Sequence, residues 1–240
     1  MLKNIPEFEL LETLLWTREE GFYLLERHLF RLFNSAAYFH DHYEKHYFAQ
    51  IPSSEEITSE ILNVSEPYRE KYERLRIRIL LSPSGGLQIQ VSEEKPTLFD
   101  NMPYVVVDDQ PVDSHDIFLR HKTTYRVRYN QARERALIGT PDGPFDVILY
   151  NERGEVTETS IGNIAIEMAN SDGSENIWKT PCISSGLLGG VHREELISQK
   201  GMVEGIITLK ELQDTTKNNR RIKIFNSVRK DIFVRLELTR

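Results

Sequence analysis

Two short segments hold the residues with the clearest chemical potential. HKTTYR contains Lys122, and GEVTETSIGN contains Glu158. A lysine amine can form a Schiff base with a carbonyl cofactor, and a carboxylate can hold a protonated ring nitrogen. The pairing therefore suggests pyridoxal phosphate chemistry, in which the cofactor accepts electrons from the reacting substrate.

Both residues also have an ordinary interpretation, as a surface lysine and as a carboxylate at a strand end. Lys122 is predicted to stand between an extended apolar segment, DIFLR, and the start of a helix, whose positive terminus favours the neutral amine needed for attack. Glu158 is predicted at a sheet edge after the turn NERG, beside the hydroxyls of Thr159 and Ser160. These settings favour the catalytic interpretation.

A glycine loop, GLLGGVHR, precedes a predicted helix that begins at Val191. Glycines let backbone amides approach an oxyanion, and the helix dipole adds to the attraction. Glycine pairs before helices are also common packing devices. The segment is therefore a candidate phosphate site that needs support from the rest of the chain.

Metal chemistry and serine hydrolysis are not favoured. His42 and His46 share a helical face, with His40 close by, yet no local carboxylates complete a metal site. Ser160 and Ser227 lack a nucleophile elbow. No metal is predicted.

The composition narrows the class of protein. The chain has 240 residues, enough for one large or two small domains, and a net charge of −7, which argues against nucleic-acid binding. Its single cysteine cannot form an internal disulfide. The amino-terminal residues are unlike a signal peptide, and no apolar run is long enough to span a bilayer. The expectation is a cytoplasmic protein that binds no membrane.

The first hundred residues predict short strands mixed with helices. FELLETLLW and FYLLERHL flank the turn TREEG, and the second runs into a helix with an apolar stripe. The stripe comprises Leu25, Leu29, Leu32 and Ala36. SSEEITSEILNV predicts a helix that ends at Pro67, and RLRIRILL predicts a half-buried strand. LQIQVSE and MPYVVVD predict two more strands.

The polar segment DDQPVDSHD predicts a break between two halves. We predict an N-terminal α+β domain over 1–109, a linker over 110–120 and a C-terminal cofactor-binding domain over 121–240. In the second half, a predicted helix after Lys122 has one face formed by Tyr125, Tyr129, Ala132 and Ala136. FDVILY, EVTET and NIAIEM predict a strand meander. IWKTP follows the predicted turn NSDGSEN, and RIKIFNSV and DIFVRLEL complete the sheet.

Taken together, the segments resemble the class IV, or fold-type IV, pyridoxal phosphate enzymes, which include aminotransferases and aminodeoxychorismate lyases. The matching segments run in the family's order: FELLETL, HLFRLFNSAAYF, HKTTYRVRYNQAR, YNERGEVTETSIGNI, KTPCISSGLLGGVHR and FNSVR. The resemblance implies a mixed α+β, two-domain fold, with a smaller N-terminal α/β domain and a β-barrel-like C-terminal domain. It also implies a homodimer.

The resemblance assigns roles to individual positions. Lys122 would bind the cofactor covalently and move protons, Glu158 would hold the pyridine nitrogen, and Thr13 would lie near the substrate. The other cofactor-binding residues implied are Arg31, Leu188, Val191, His192, Asn226 and Ser227. Arg126 and Arg229 could meet substrate carboxylates.

The pattern is closest to the lyase portion of bifunctional para-aminobenzoate synthases, whose start is similarly abbreviated. It implies a lyase that eliminates pyruvate from 4-amino-4-deoxychorismate to give para-aminobenzoate for folate. A class IV aminotransferase acting on branched-chain or D-amino acids is the alternative, and a non-catalytic metabolite-binding module is a further one. The expected partners are a small anionic amine substrate and an aminodeoxychorismate synthase.

Overall fold

The computed structural model describes residues 5–168 and 177–237, which hold six α-helices and twelve strands. They divide into two compact units. Unit 1 comprises the chain up to Pro96 together with His121–Tyr125, and unit 2 comprises Thr97–Arg120 and the chain from Arg126 onward. The predicted domain limits at 109 and 121 stay a prediction. The predicted turn NSDGSEN lies outside the described residues.

Unit 1 is built on a four-stranded antiparallel sheet with the strand order β2-β1-β3-β4. Its strands are β1 (Leu10–Thr17), β2 (Gly21–Phe22), β3 (Arg74–Leu81) and β4 (Leu87–Glu93). The predicted hairpin after FELLETLLW and the strands of RLRIRILL and LQIQVSE are thereby confirmed.

The side chains of β3 alternate between two environments. Leu75, Ile77 and Ile79 are fully buried, whereas the three arginines between and before them are half-buried. Successive side chains of a strand point to opposite faces, so the arginines share one face of the sheet. Glu12 pairs with Ile79 and therefore lies on the other, apolar face.

Two helices complete unit 1, α1 (Leu25–His42) and α2 (Ser54–Lys71). Of the predicted stripe on α1, Leu29, Leu32 and Ala36 are buried, and Leu25 is half-buried. Helix α2 begins with a capping box, in which the Ser53 hydroxyl accepts from the Glu56 amide and the Glu56 carboxylate accepts from the Ser53 amide.

The prediction that α2 ends at Pro67 was wrong, because the helix continues to Lys71. Proline removes only one amide donor from the helix, the one that would bond the Asn63 carbonyl. The Leu62 carbonyl accepts from the Ser65 hydroxyl at 3.4 Å and from the Arg69 guanidinium at 3.1 Å. Side-chain donors thus support the turn that precedes the proline.

Unit 2 contains an eight-stranded sheet with the strand order β10-β9-β8-β11-β12-β5-β6-β7. Strand β7, at one edge, contacts β8 near the other end of the order, so the sheet is curled. Its strands are β5 (Tyr104–Val107), β6 (Asp146–Tyr150), β7 (Val156–Thr159), β8 (Asn163–Met168), β9 (Ile177–Pro181), β10 (Met202–Gly205), β11 (Ile222–Asn226) and β12 (Lys230–Leu236). The predicted mixed α+β architecture is confirmed. Strand β5, predicted from MPYVVVD, belongs to this sheet.

The helices of unit 2 are α3 (Ile117–Arg120), α4 (Val127–Arg135), α5 (Val191–Ser198) and α6 (Leu209–Lys217). The extended conformation predicted for DIFLR was wrong, since most of it forms α3. The Asp116 carboxylate accepts the Phe118 amide at 2.9 Å and so favours a helical turn there. Within residues 5–168 and 177–237, no helix is both long and apolar enough to cross a membrane.

Candidate active-site residues

Lys122 lies in an extended segment that pairs with the start of β1. The Leu11 amide donates to the Lys122 carbonyl at 3.0 Å, and the Thr124 amide donates to the Glu9 carbonyl at 2.9 Å. The nearest following helix, α4, begins only at Val127, so the prediction that a helix starts at the lysine was wrong. Backbone pairing, and not a helix terminus, holds the lysine in place.

A buried ion cluster lies on the apolar face of the unit 1 sheet. Glu12 is 1% exposed and accepts from the Arg31 Nε at 2.7 Å and from the Arg31 Nη2 at 2.7 Å. The same carboxylate contacts the His28 Nδ1 at 2.8 Å. Burial alone would raise the pKa of Glu12, but the charge and hydrogen bonds of Arg31, helped by His28, lower it to about 2.

The sequence predicted Arg31 but missed Glu12 and His28. Two donor groups of Arg31 are directed at Glu12, so the carboxylate orients the guanidinium that was predicted to bind phosphate. His28 is fully buried, burial lowers its pKa, and within the described chain its Nε2 has no hydrogen-bond partner. The pattern of a buried glutamate in β1 with histidine and arginine one helical turn apart could have indicated this cluster.

Replacing Glu12 with glutamine is expected to destabilise the protein by about 3 kcal/mol at neutral pH, because it leaves Arg31 without its charge partner in a buried site. The pKa of Glu12 is lowered from 4.5 to about 2, so its contribution is present above pH 4.5 and is lost as the pH falls towards 2. Urea unfolding at pH 7 and at pH 3 measures this. The difference between E12Q and the unsubstituted protein should shrink at pH 3, whereas E26Q, at an exposed position of α1, should have little effect at either pH.

In unit 2, Glu158 lies at the end of β7 and is 4% exposed. The Tyr129 hydroxyl donates to its Oε1 at 2.7 Å, and the Leu188 amide donates to the same oxygen at 3.3 Å. The Asn163 amide nitrogen is 3.5 Å from Oε2. Burial and the neighbouring Glu158 charge raise the pKa of Tyr129 well above 10, so the phenol stays a donor. The sequence missed both Tyr129 and Asn163.

Asn163 also joins Glu158 to the glycine loop. Its amide nitrogen donates to the Leu188 carbonyl at 2.9 Å. A Cβ on Gly190 would lie 2.0 Å from the Asn163 Oδ1, so any other residue here would displace the Asn163 side chain. The loop leads directly into α5, whose first residues are Val191 and His192. The helix start predicted at Val191 is confirmed.

The side chain of His192 is directed at other residues of unit 2. Its Nε2 is 3.7 Å from an Asp231 oxygen, and its ring packs edge-on against Phe225. Asp231 also accepts from Lys223 at 2.7 Å. Any phosphate contact of His192 would therefore come from its backbone amide.

The predicted FNSVR residues lie at the end of β11 and in the turn that leads to β12. The Asn226 Oδ1 accepts from the Val228 amide at 3.0 Å and from the Arg229 amide at 2.8 Å, and its nitrogen donates to the Ile161 carbonyl at 3.0 Å. The Asn226 side chain thus shapes the turn. Ser227 is buried, and Arg229 is half-buried.

Arg126 is placed beside Tyr129. Its guanidinium lies 4.4 Å from the centre of the Tyr129 ring and donates to the Ser160 carbonyl at 2.5 Å. These contacts support the Tyr129–Glu158 pair. Its predicted contact with a substrate carboxylate stays a prediction, as do the other predicted site roles.

Comparison with known proteins gives a consistent result. A family model described as Amino-transferase class IV matches residues 9–230. A Schizosaccharomyces pombe protein named "Putative aminodeoxychorismate lyase" is 30% identical over 161 residues, which cover 65% of this chain and 64% of that protein. The match thus spans slightly less than two thirds of this relative.

Solved structures agree in fold. A structure described as "Putative amino-acid aminotransferase", from Mesorhizobium loti, has a TM-score of 0.77 and 27% identity, and the match covers 97% of this chain and 100% of that one. A hypothetical aminotransferase from Mycobacterium tuberculosis in a PLP-bound form has a TM-score of 0.72 and 19% identity, covering 95% and 81%. The second likeness concerns the fold alone.

Proposed function

Because the chain belongs to the class IV aminotransferase family, we propose that it is a pyridoxal phosphate-dependent lyase that converts 4-amino-4-deoxychorismate into para-aminobenzoate and pyruvate. The predicted family is confirmed, and membership makes the protein an enzyme, either a lyase or an aminotransferase. The observation that carries the lyase proposal is the 30% identity to the Schizosaccharomyces pombe protein.

The residues of the chain fit the cofactor of this family. The Glu158 carboxylate is buried, and the Tyr129 hydroxyl and the Leu188 amide orient it through Oε1, which suits it to accept from a protonated pyridine nitrogen. The glycine loop and the start of α5 offer amide donors suited to a phosphate. Leu188, whose amide contacts Glu158, can supply an apolar surface for the ring.

Arg31, the amides of Val191 and His192, and the Ser227 hydroxyl are proposed to hold the phosphate, with Asn226 shaping the turn that carries Ser227. Arg31 is a charge-assisted donor, and Glu12 fixes its orientation. The two backbone amides and the serine hydroxyl are neutral and add only hydrogen-bond donors. One positive charge and several neutral donors can bind a phosphate locally, although the protein as a whole has a net charge of −7.

The chemistry that bound pyridoxal phosphate would supply is an electron sink for the C–H bond broken at the amine-bearing carbon. Lys122 is proposed to hold the cofactor covalently and, once the substrate amine has displaced it, to take the proton from that ring carbon with its Nζ. A proton then goes to the departing enolpyruvyl group, which leaves as pyruvate. Glu158 keeps the pyridine nitrogen protonated.

Transamination is the second candidate, and the full-length likeness to the Mesorhizobium loti structure favours it. Lys122 would then carry a proton between the substrate α-carbon and the cofactor. The same lysine and glutamate serve both reactions, so the catalytic residues do not distinguish the lyase from the aminotransferase. The two are distinguished by which substrate the protein converts.

A product assay on the cofactor-loaded protein tests the proposal. One reaction contains 4-amino-4-deoxychorismate, and others contain branched-chain L-amino acids or D-amino acids with 2-oxoglutarate or pyruvate. We expect para-aminobenzoate and pyruvate in equal amounts. Keto acids formed from the amino acids, without para-aminobenzoate, would establish an aminotransferase instead.

We also propose that the enzyme acts as a homodimer and receives its substrate from an aminodeoxychorismate synthase. Light scattering coupled to size exclusion measures the first, and a mass near twice 28.0 kDa is expected. The supply of substrate by a synthase is tested in a coupled reaction that contains the enzyme, an aminodeoxychorismate synthase, chorismate and an amine donor. Para-aminobenzoate should then form without added 4-amino-4-deoxychorismate.

A further inference from the structure

The residue that directly precedes the candidate catalytic lysine is anchored to helix α1. The His121 Nδ1 lies 3.0 Å from the Ser35 hydroxyl. The imidazole ring stacks on Tyr38, with ring centres 4.4 Å apart and 30° between the planes, and its centre lies 5.1 Å from that of Phe39. A hydrogen bond and two ring contacts thus hold the side chain of His121 within unit 1.

The sequence of α1 places these contacts on a single face of the helix. Ser35, Tyr38 and Phe39 follow the i, i+3, i+4 spacing, at which helical side chains are neighbours. Ser35 is 5% exposed and Phe39 is fully buried, so the contacts belong to the interior of unit 1 and are little weakened by water. The ring of His121 therefore packs on a firmly held surface.

The backbone of Lys122 is restrained on its other side by β1. Residues 121–124 belong to neither a helix nor a regular strand. The bonds of the Leu11 and Thr124 amides restrain the chain at Lys122 and after it. The contacts of His121 restrain the chain immediately before Lys122. The lysine backbone is thus held from both sides, by β1 and by α1.

Helix α1 also carries Arg31, which is proposed to bind the cofactor phosphate. Arg31 and Ser35 are four residues apart, which corresponds to about 6 Å along the helix axis. The same helix therefore positions the proposed phosphate ligand and the segment of the lysine. The phosphate arm and the carbonyl carbon of pyridoxal phosphate are attached to one rigid ring, so a lysine that reacts with the carbonyl needs a fixed distance from the phosphate ligand.

We propose that His121 is a positioning residue for Lys122. Its contacts with α1 fix the lysine backbone and so set how closely the lysine amine approaches the carbonyl of the cofactor. The inference rests on the proposed function in requiring pyridoxal phosphate, and it holds equally for a lyase and an aminotransferase. A displacement of about 1 Å at a reacting group can lower a rate by about 100-fold. Loss of the His121 contacts leaves the pairing with β1 intact, so a smaller loss of about 10-fold is expected.

Two ligands distinguish this role from a general effect on folding. The Lys122 amine condenses with the aldehyde of pyridoxal phosphate and releases water, whereas pyridoxine phosphate has an alcohol in place of the aldehyde and binds without that bond. In H121A, attachment of saturating pyridoxal phosphate to Lys122, trapped with borohydride at timed intervals and measured by mass spectrometry, should be about 10-fold slower. The affinity for pyridoxine phosphate, measured by calorimetric titration, should be unchanged.

Two further variants identify the contacts responsible and replace H121A if that variant does not fold. H121F keeps a ring beside Tyr38 and Phe39 but lacks the hydrogen bond, and S35A removes the same bond from the other side. Each should slow attachment by less than H121A. The double variant H121F/S35A should be no slower than H121F, because both changes remove one interaction.

H46A is the matched control, because it makes the same change at an exposed position of unit 1 and should alter neither measurement. R31Q should instead weaken the binding of pyridoxine phosphate. An unchanged attachment rate in H121A, H121F and S35A, or an equal loss of pyridoxine phosphate binding, overturns the positioning role. Failure of the unsubstituted protein to attach the cofactor overturns that role together with the proposed cofactor. Normal attachment without either product in the product assay overturns only the proposed function.

Discussion

Replacing Lys122 with alanine is expected to reduce kcat of the cofactor-loaded protein by at least about 10³-fold. The variant loses both the amine that holds the cofactor covalently and the base that moves the substrate proton. Its fold should survive, because the bond between Leu11 and Lys122 involves backbone atoms that alanine retains. Product formation by the variant and by the unsubstituted protein, measured with the same substrate, gives the comparison.

Borohydride reduction tests the covalent role of Lys122 without turnover. In the loaded, unsubstituted protein, reduction should fix the cofactor on the peptide that contains Lys122, as measured by mass spectrometry. K179A is a control, because that lysine is paired with Glu211 in unit 2 and should not affect the labelling. A label on any other lysine, or full activity of K122A, would contradict the assignment.

Local patterns predicted much of the fold. The alternation in RLRIRILL indicated β3 and its two faces, and the strands of FDVILY, EVTET and NIAIEM were found where they were predicted. The errors arose where side-chain contacts outweigh local preference. Helix α2 passes through Pro67, and Asp116 supports a helical turn in a segment whose apolar residues suggested a strand.

The site was predicted less completely than the fold, since its partners come from distant parts of the chain. Glu158 meets Tyr129 and Leu188, and no local pattern around any one of them indicates the other two. The residues that would bind the substrate carboxylates are likewise not indicated by any local pattern. Arg126 and Arg229 were predicted as possible partners of the substrate carboxylates, and no pattern in the sequence assigns either of them.

Replacing Glu158 with glutamine is expected to reduce kcat by about 10²- to 10³-fold with a much smaller change in KM. Glutamine occupies nearly the same space but carries no charge, so it cannot keep a pyridine nitrogen protonated. Substrate binding does not need that proton, which is why the loss should fall on kcat. Steady-state kinetics with E158Q and E158D measure it, and E158D should retain more activity because it keeps the charge.

Tyr129→Phe separates the charge of Glu158 from its orientation. The variant removes the 2.7 Å hydrogen bond to Oε1 but leaves the carboxylate charged, so we expect a decrease in kcat of only about 10-fold. Because the pKa of Tyr129 is raised well above 10, the phenol stays protonated in the folded protein, and its contribution to stability is present below pH 10 and lost as the pH rises above that value.

If Glu158 acts through its charge, the double variant E158Q/Y129F should be hardly slower than E158Q, since the tyrosine then has no carboxylate to orient. Additive losses in the double variant would show that Tyr129 acts independently of Glu158.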